Sequence, residues 1–107
     1  MPLDVRLIET MPTTVFSDCI THNLTAMSVE AGLSGALWRP EENGIKTAAQ
    51  LIPLLETGLA VLRSDPERFR ALNPVNEWGR YDHLVAFVER YLAACRLHPE
   101  ARVEASR

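Results

Sequence analysis

The sequence predicts an α+β fold, with three to four helices packed on a small antiparallel sheet made by an N-terminal hairpin and a C-terminal strand. Three observations carry that expectation. Apolar and polar residues alternate at both chain ends, with Leu3, Val5 and Leu7 on one face of the first segment and Val103 and Ala105 on one face of the last. Period two is the mark of a half-buried strand. Between the ends, apolar residues recur every three to four positions, the period of a helix with one buried stripe. Gly, Pro and Asn punctuate the intervals.

The elements follow in order. "LDVRLIE" and "TVFSDCI" form the hairpin, turning at "TMPT" around Pro12; the second strand is favoured by the β-branched and aromatic residues Thr14, Val15, Phe16 and Ile20. A first helix carries Ile20, Leu24, Met27 and Ala31 on one face. Thr21 is its N-cap and Gly32 its stop, where a left-handed residue lets Leu33 fold back on the last turn. "ALWRPEENG" reads as a connector, with Arg39 held extended before Pro40 and a turn at Asn43-Gly44. The next helix opens on a capping box, Thr47 with Gln50, and buries Leu51, Leu55, Leu59 and Leu62. Pro53 lies in its interior, which predicts a kink or two abutting segments. Asp65-Pro66 starts a short helix with Phe69 and Leu72 inside, ended by Asn73-Pro74. The last helix runs from Tyr81, capped at Gly79, with a stripe of Leu84, Val85, Val88, Tyr91, Leu92 and Cys95, and His98-Pro99 stops it.

Residues 1–107 are the size of one domain. A hydrophobic content of 47% argues against disorder. The net charge of -3 leaves no basic surplus for a row of phosphates, so nucleic acid is not an expected partner. The basic residues are nearly all Arg. Genome composition accounts for that, and an anion or carboxylate site is the sharper reading. "MPLDVRLIET" has charges where a leader needs an apolar run, and Leu51–Leu62 is too short and too interrupted to span a bilayer. With two cysteines besides, a cytoplasmic protein with reduced thiols and no membrane association is expected. Cys19 and Cys95 read as buried small hydrophobes.

The common motifs for nucleotides, metals and hydrolysis are absent, and no cofactor is expected. Candidate site residues are therefore picked by residue type and place. Thr21, His22 and Asn23 gather polar donors at a helix start, where free N–H groups suit an anion. In "NPVNEWGRYDHL", turn chemistry accounts for Asn73, Pro74, Asn76, Gly79 and Asp82 and leaves Trp78 over. A pocket is expected where Trp78, Tyr81 and the "THN" helix start converge. Trp38 reads as a core plug. His83 lies opposite the main stripe of its helix beside Phe87 and Arg90, as a solvated histidine or a secondary contact face. Cys19 and His22 invite a thiol–imidazole pair, but i and i+3 lie on opposite faces of a strand.

The motifs "ITHNLTAM", "EAGL", "LWRPEE", "LIPLLETGL", "DPERF", "NPVNEWGRYDHLVAFVERYLAAC" and "HPEARVEAS" together resemble a family of small bacterial and prophage-encoded proteins of unknown activity. The resemblance runs from about Thr14 to the end and implies no cofactor or catalytic residue. The family's loop reads NPxNGWGxY. Glu77 stands here in place of its first glycine, and a positive φ there would strain it.

Two functions fit. The first is a non-enzymatic binding domain for a small polar or anionic ligand or for a protein partner, using Thr21, His22, Asn23, Trp78 and Tyr81. The second is a small enzyme with His22 as acid/base near Cys19 or Asp18. An accessory subunit that docks or homodimerises through the apolar Leu51–Leu62 segment is a third.

Overall fold

A computed structural model describes residues 2–9, 14–73 and 80–107. The fold is α+β. Three antiparallel strands, β1 (Pro2–Ile8), β2 (Thr14–Thr21) and β3 (Arg102–Ser106), lie in the order β2-β1-β3. The hairpin and the C-terminal strand are thus both present, and β1 is the central strand that joins them.

The register shows why. Val5 pairs with Asp18 on one side and Ala105 on the other, and Leu7 with Phe16 and Val103. Leu3, Val5 and Leu7 are fully buried on the helix-facing side. Asp4 and Arg6 are exposed on the other side, where Arg6 meets Glu104. Alternation makes Ile8 an outward residue, but the β1–β2 register shifts between Leu7 and Ile8, and this irregularity lets Ile8 bury as well.

The helices cover one face of the sheet. The expected first helix is a 3₁₀ turn, His22–Leu24, followed by α1 (Thr25–Glu30). Thr21 caps the turn, its Oγ1 accepting from the N–H of Asn23 at 3.2 Å. Gly32 ends α1 at φ 75°, and the N–H of Leu33 returns to the carbonyl of Ser28. The expected connector holds more structure than its composition suggests. Ser34–Trp38 form α2 and Pro40–Asn43 a 3₁₀ turn, because Ala36, Leu37 and Trp38 are all drawn into the core.

Helix α3 (Ala48–Ser64) opens as expected on Gln50, whose side chain accepts from the N–H groups of Lys46 and Thr47 at 2.6 and 3.1 Å. The expected break at Pro53 does not divide it. One helix runs from Ala48 to Ser64, with the proline exposed. Leu51, Leu55, Leu59 and Leu62 bury together, so the stripe that could have completed a partner's core is used in this chain's own. Gly58 is needed here for space: a Cβ would lie 2.2 Å from Leu33 Cδ2.

Asp65 caps α4 (Pro66–Arg70), where Phe69 is fully buried. Helix α5 (Tyr81–Leu97) packs against α3 and β2. Its N-cap is Arg80 rather than Gly79, and residues 74–79, with Trp78 and Glu77 among them, lie outside the described residues. Asn73 assists from the previous helix: its Oδ1 accepts from the N–H of Tyr81 at 2.8 Å, satisfying one of the orphan donors at the helix start. Among the described residues no helix is long and apolar enough to cross a membrane.

Candidate functional site

The sheet leaves β2 and β3 as edges, and α5 lies beside β2. The two elements run side by side in opposite directions. From Phe16 through Asp18, β2 meets first Tyr91 and then Arg90 of α5: Phe16 stacks on Tyr91 at 5.7 Å, and Arg90 Nε donates to Asp18 Oδ2 at 2.8 Å. Beyond Asp18 the two separate enough to leave a cavity of about 340 Å³.

Buried Ile20, Leu24 and Phe87, with half-buried Ala86, supply the apolar part of its lining. The polar part comes from Thr21 and from exposed Cys19, His83 and Arg90. On α5 the lining residues His83, Ala86, Phe87 and Arg90 are spaced i, i+3, i+4 and i+7, one face of the helix. Helix α5 therefore has two working faces: the Leu84–Val88–Leu92–Cys95 stripe faces the core, and the His83–Phe87–Arg90 stripe faces the cavity.

The Asp18 carboxylate is shared. Oδ1 accepts from the N–H of Cys19 at 2.8 Å, while Oδ2 binds Arg90. Asp18 is thereby committed on both oxygens. Its side chain is 20% exposed and that of Arg90 55%, so the pair is worth little to stability.

The sequence candidates separate. Thr21 lines the cavity. Asn23 is exposed on the capped turn. His22 turns toward Trp38, with ring centroids 6.0 Å apart, and its Nε2 is buried with no hydrogen-bond partner among the described residues. Trp38 is a core plug as expected. Tyr81 is a structural residue: its hydroxyl donates to the carbonyl of Leu62 at 2.6 Å and its ring stacks on Phe69. It faces α3 and α4, not the "THN" turn, so the expected convergence of Tyr81 with Thr21 does not occur. The expected partner Trp78 is among the residues not described. The turn at His22–Leu24 and the six-residue α1 behind it are too short to make a strong anion-attracting dipole.

The thiols differ from expectation by half. Cys95 is buried, and loss of hydration pushes its thiol up to about 12, which leaves it unreactive at neutral pH. Cys19 is exposed, because strand alternation sets it on the outer side of β2 opposite Ile20. Among the described residues no hydrogen bond joins His22 Nε2 to Cys19 or Asp18. Among the described residues no group of three or more His, Cys, Asp or Glu could hold a metal ion.

The chain matches no family model, no curated protein and no solved structure.

The cavity residues that sequence reasoning missed were partly visible. His83, Phe87 and Arg90 are spaced to share a helix face. What spacing cannot give is that this face meets Thr21 across the sheet edge. A second cavity of about 340 Å³ between α3 and α5 is a useful contrast. Its charged groups answer one another, Arg63 with Glu89 at 3.1 Å and Arg96 with Glu56 at 2.8 Å, and its lining is mostly polar.

Proposed function

We propose that this chain is a non-enzymatic binding domain whose ligand pairs an apolar group with an anionic one, and that it binds in the groove between β2 and α5. The observation that carries this reading is the placement of Arg90, His83 and Thr21 around a cavity otherwise lined by Ile20, Leu24, Ala86 and Phe87. Its volume falls within the range of small-ligand sites, which join an apolar lining to a few convergent polar groups. Arg90 supplies a planar, permanently charged fork suited to a carboxylate. His83 adds a second donor, and the Thr21 hydroxyl a third. The apolar lining supplies the affinity and the polar groups the orientation. Two free cysteines fit a cytoplasmic setting for this activity.

Titration with hexanoate, an apolar chain bearing one carboxylate, tests the reading. Amide resonances of Cys19, Thr21, His83, Phe87 and Arg90 should move together and saturate. Arg90→Gln should weaken binding about tenfold while leaving the fold intact, since a charge-assisted hydrogen bond is removed from a half-exposed position. Absence of saturable shifts in the groove with carboxylate, phosphate or peptide probes would end the proposal.

A further inference from the structure

We infer that the carboxylate-bearing ligand of this groove is an extended peptide that adds to β2 as a fourth strand and lays alternate side chains on the His83–Phe87–Arg90 face of α5. This rests on the binding reading above and narrows it to one class of ligand.

The two outer edges of the sheet are unequal. The edge of β3 is covered: Thr47 bridges to Arg102, and the N–H of Val103 donates to the carbonyl of Lys46 at 2.9 Å. The edge of β2 carries no strand among the described residues. An uncovered edge is a row of unpaired backbone donors and acceptors, a template for strand addition.

The donor at the centre of that row already holds a substitute partner. The N–H of Cys19 turns away from β1 and is met by Asp18 Oδ1. A carboxylate oxygen accepts the hydrogen bond that a neighbouring strand's carbonyl would take. The other oxygen of the same carboxylate occupies Arg90. One side chain thus keeps both a ladder donor and a guanidinium engaged, through contacts that are partly open to water. An incoming strand's backbone carbonyl can take the Cys19 N–H from Asp18, while an acidic side chain takes the terminal nitrogens of Arg90 and Asp18 keeps its Nε.

Helix α5 supplies the rest of the geometry. Because it runs alongside β2 and not across it, an added strand would lie over its cavity-facing stripe. Inward side chains of a strand recur about every 6.8 Å, and turns of a helix about every 5.4 Å, so two consecutive inward side chains meet two consecutive turns. An apolar side chain then fills the hollow at Ala86 and Phe87, and an acidic one reaches Arg90 or His83. A second copy paired edge to edge would set Arg90 against its own like, whereas an acidic peptide brings it a carboxylate.

The experiment uses the isotope-labelled chain with a pool of six-residue, end-capped peptides that carry glutamate and valine, leucine or phenylalanine two residues apart, with threonine at the intervening positions, so that one face of the strand presents both. Two further pools are N-methylated on one or the other alternate set of amides, and hexanoate is the small carboxylate. The expected result is saturable binding of the parent pool about tenfold tighter than hexanoate, with slowed exchange of the Cys19 amide. One methylated pool should lose binding and the other keep it, because only one set of amides faces β2. If both methylated pools bind as well as the parent, or hexanoate binds as tightly as any peptide, strand addition is wrong and the groove reading survives. If neither peptide nor hexanoate perturbs the groove, both fall. A dimer in sedimentation with the Cys19 amide protected before peptide is added would make a second copy the occupant and overturn the inference.

Discussion

The two outer strands of the sheet are solved differently. On β3 the chain covers its own backbone: the segment Lys46–Thr47 lies against Arg102 and Val103, and the N–H groups of Ala48 and Ala49 donate to the carbonyls of Ala101 and Pro99. The start of α3 and the start of β3 are thereby one hydrogen-bonded unit. On β2 no such cover exists among the described residues, and one carboxylate, Asp18, satisfies a single outward N–H. The difference teaches that edge protection by backbone is structural and permanent, while protection by a side chain can be exchanged for a partner. The polar and apolar groups suited to a ligand lie at the exchangeable edge.

Perturbing the two sides should give effects of different size. The largest is expected from Leu51→Ala, a fully buried residue in the first turn of the helix that the covering segment feeds. Loss of its packing should cost about 2–5 kcal/mol in urea denaturation, as for other large-to-small core changes. Gln50→Ala should cost about 0.5–2 kcal/mol, because it strips the acceptor from two N–H groups at the helix start. Its signature is faster hydrogen exchange at Lys46 and Val103, the closed edge coming open. Asp18→Ala should change stability by less than about 1 kcal/mol, as expected of a half-exposed ion pair. It should nevertheless speed exchange at the Cys19 amide. If Asp18→Ala proves as damaging as Gln50→Ala, the open edge is as structural as the closed one.

The smallest effect concerns Glu41, which is exposed and meets Arg107. The hydrogen bond from Arg107 holds the Glu41 carboxyl below its ordinary value of 4.5. A depressed folded-state pKa means that the contribution is present above the ordinary value and disappears as pH falls through the lowered one. Thermal midpoints of the wild type and Glu41→Gln should therefore differ slightly at neutral pH and converge in acid.

The architecture was largely legible in the residues because it depends on period. Leu3, Val5 and Leu7 announce a strand, the leucines from Leu51 to Leu62 a helix, and Gly32 and Asp65-Pro66 their boundaries. What escaped depends on tertiary neighbours. Helix α2 is a turn and a half of "SGALW", too short for any period to register, and it forms because Trp38 and Leu37 are buried. Pro53 predicts a kink or two abutting segments, yet α3 runs past it as one helix because the leucines on both sides pack into one core. Asn73 looked like a simple helix end, but its side chain serves the next helix eight residues on. The candidate site was legible in part. Thr21 and the His83–Phe87–Arg90 spacing can be read from the chain. Their meeting cannot, since it depends on which way α5 lies against the sheet. Tyr81 misled for the same reason: an aromatic next to a polar loop says nothing of the Leu62 carbonyl waiting for its hydroxyl.

The contact between Gly58 and Leu33 has a practical consequence for anyone who would engineer this chain. A glycine in the middle of a seventeen-residue helix is the first position a stabilisation scheme would replace with alanine, for a textual gain of about 1 kcal/mol in helix propensity. Here the missing methyl is the socket for a leucine from another part of the chain, with Leu33 Cγ 2.4 Å from where the new carbon would go. The substitution would lift the loop after α1 off the helix, and the scheme would weaken the molecule at the one place where it promised most. Thermostabilising effort belongs instead on the exposed side of the same helix, at positions such as Thr57, where better helix formers meet no such neighbour.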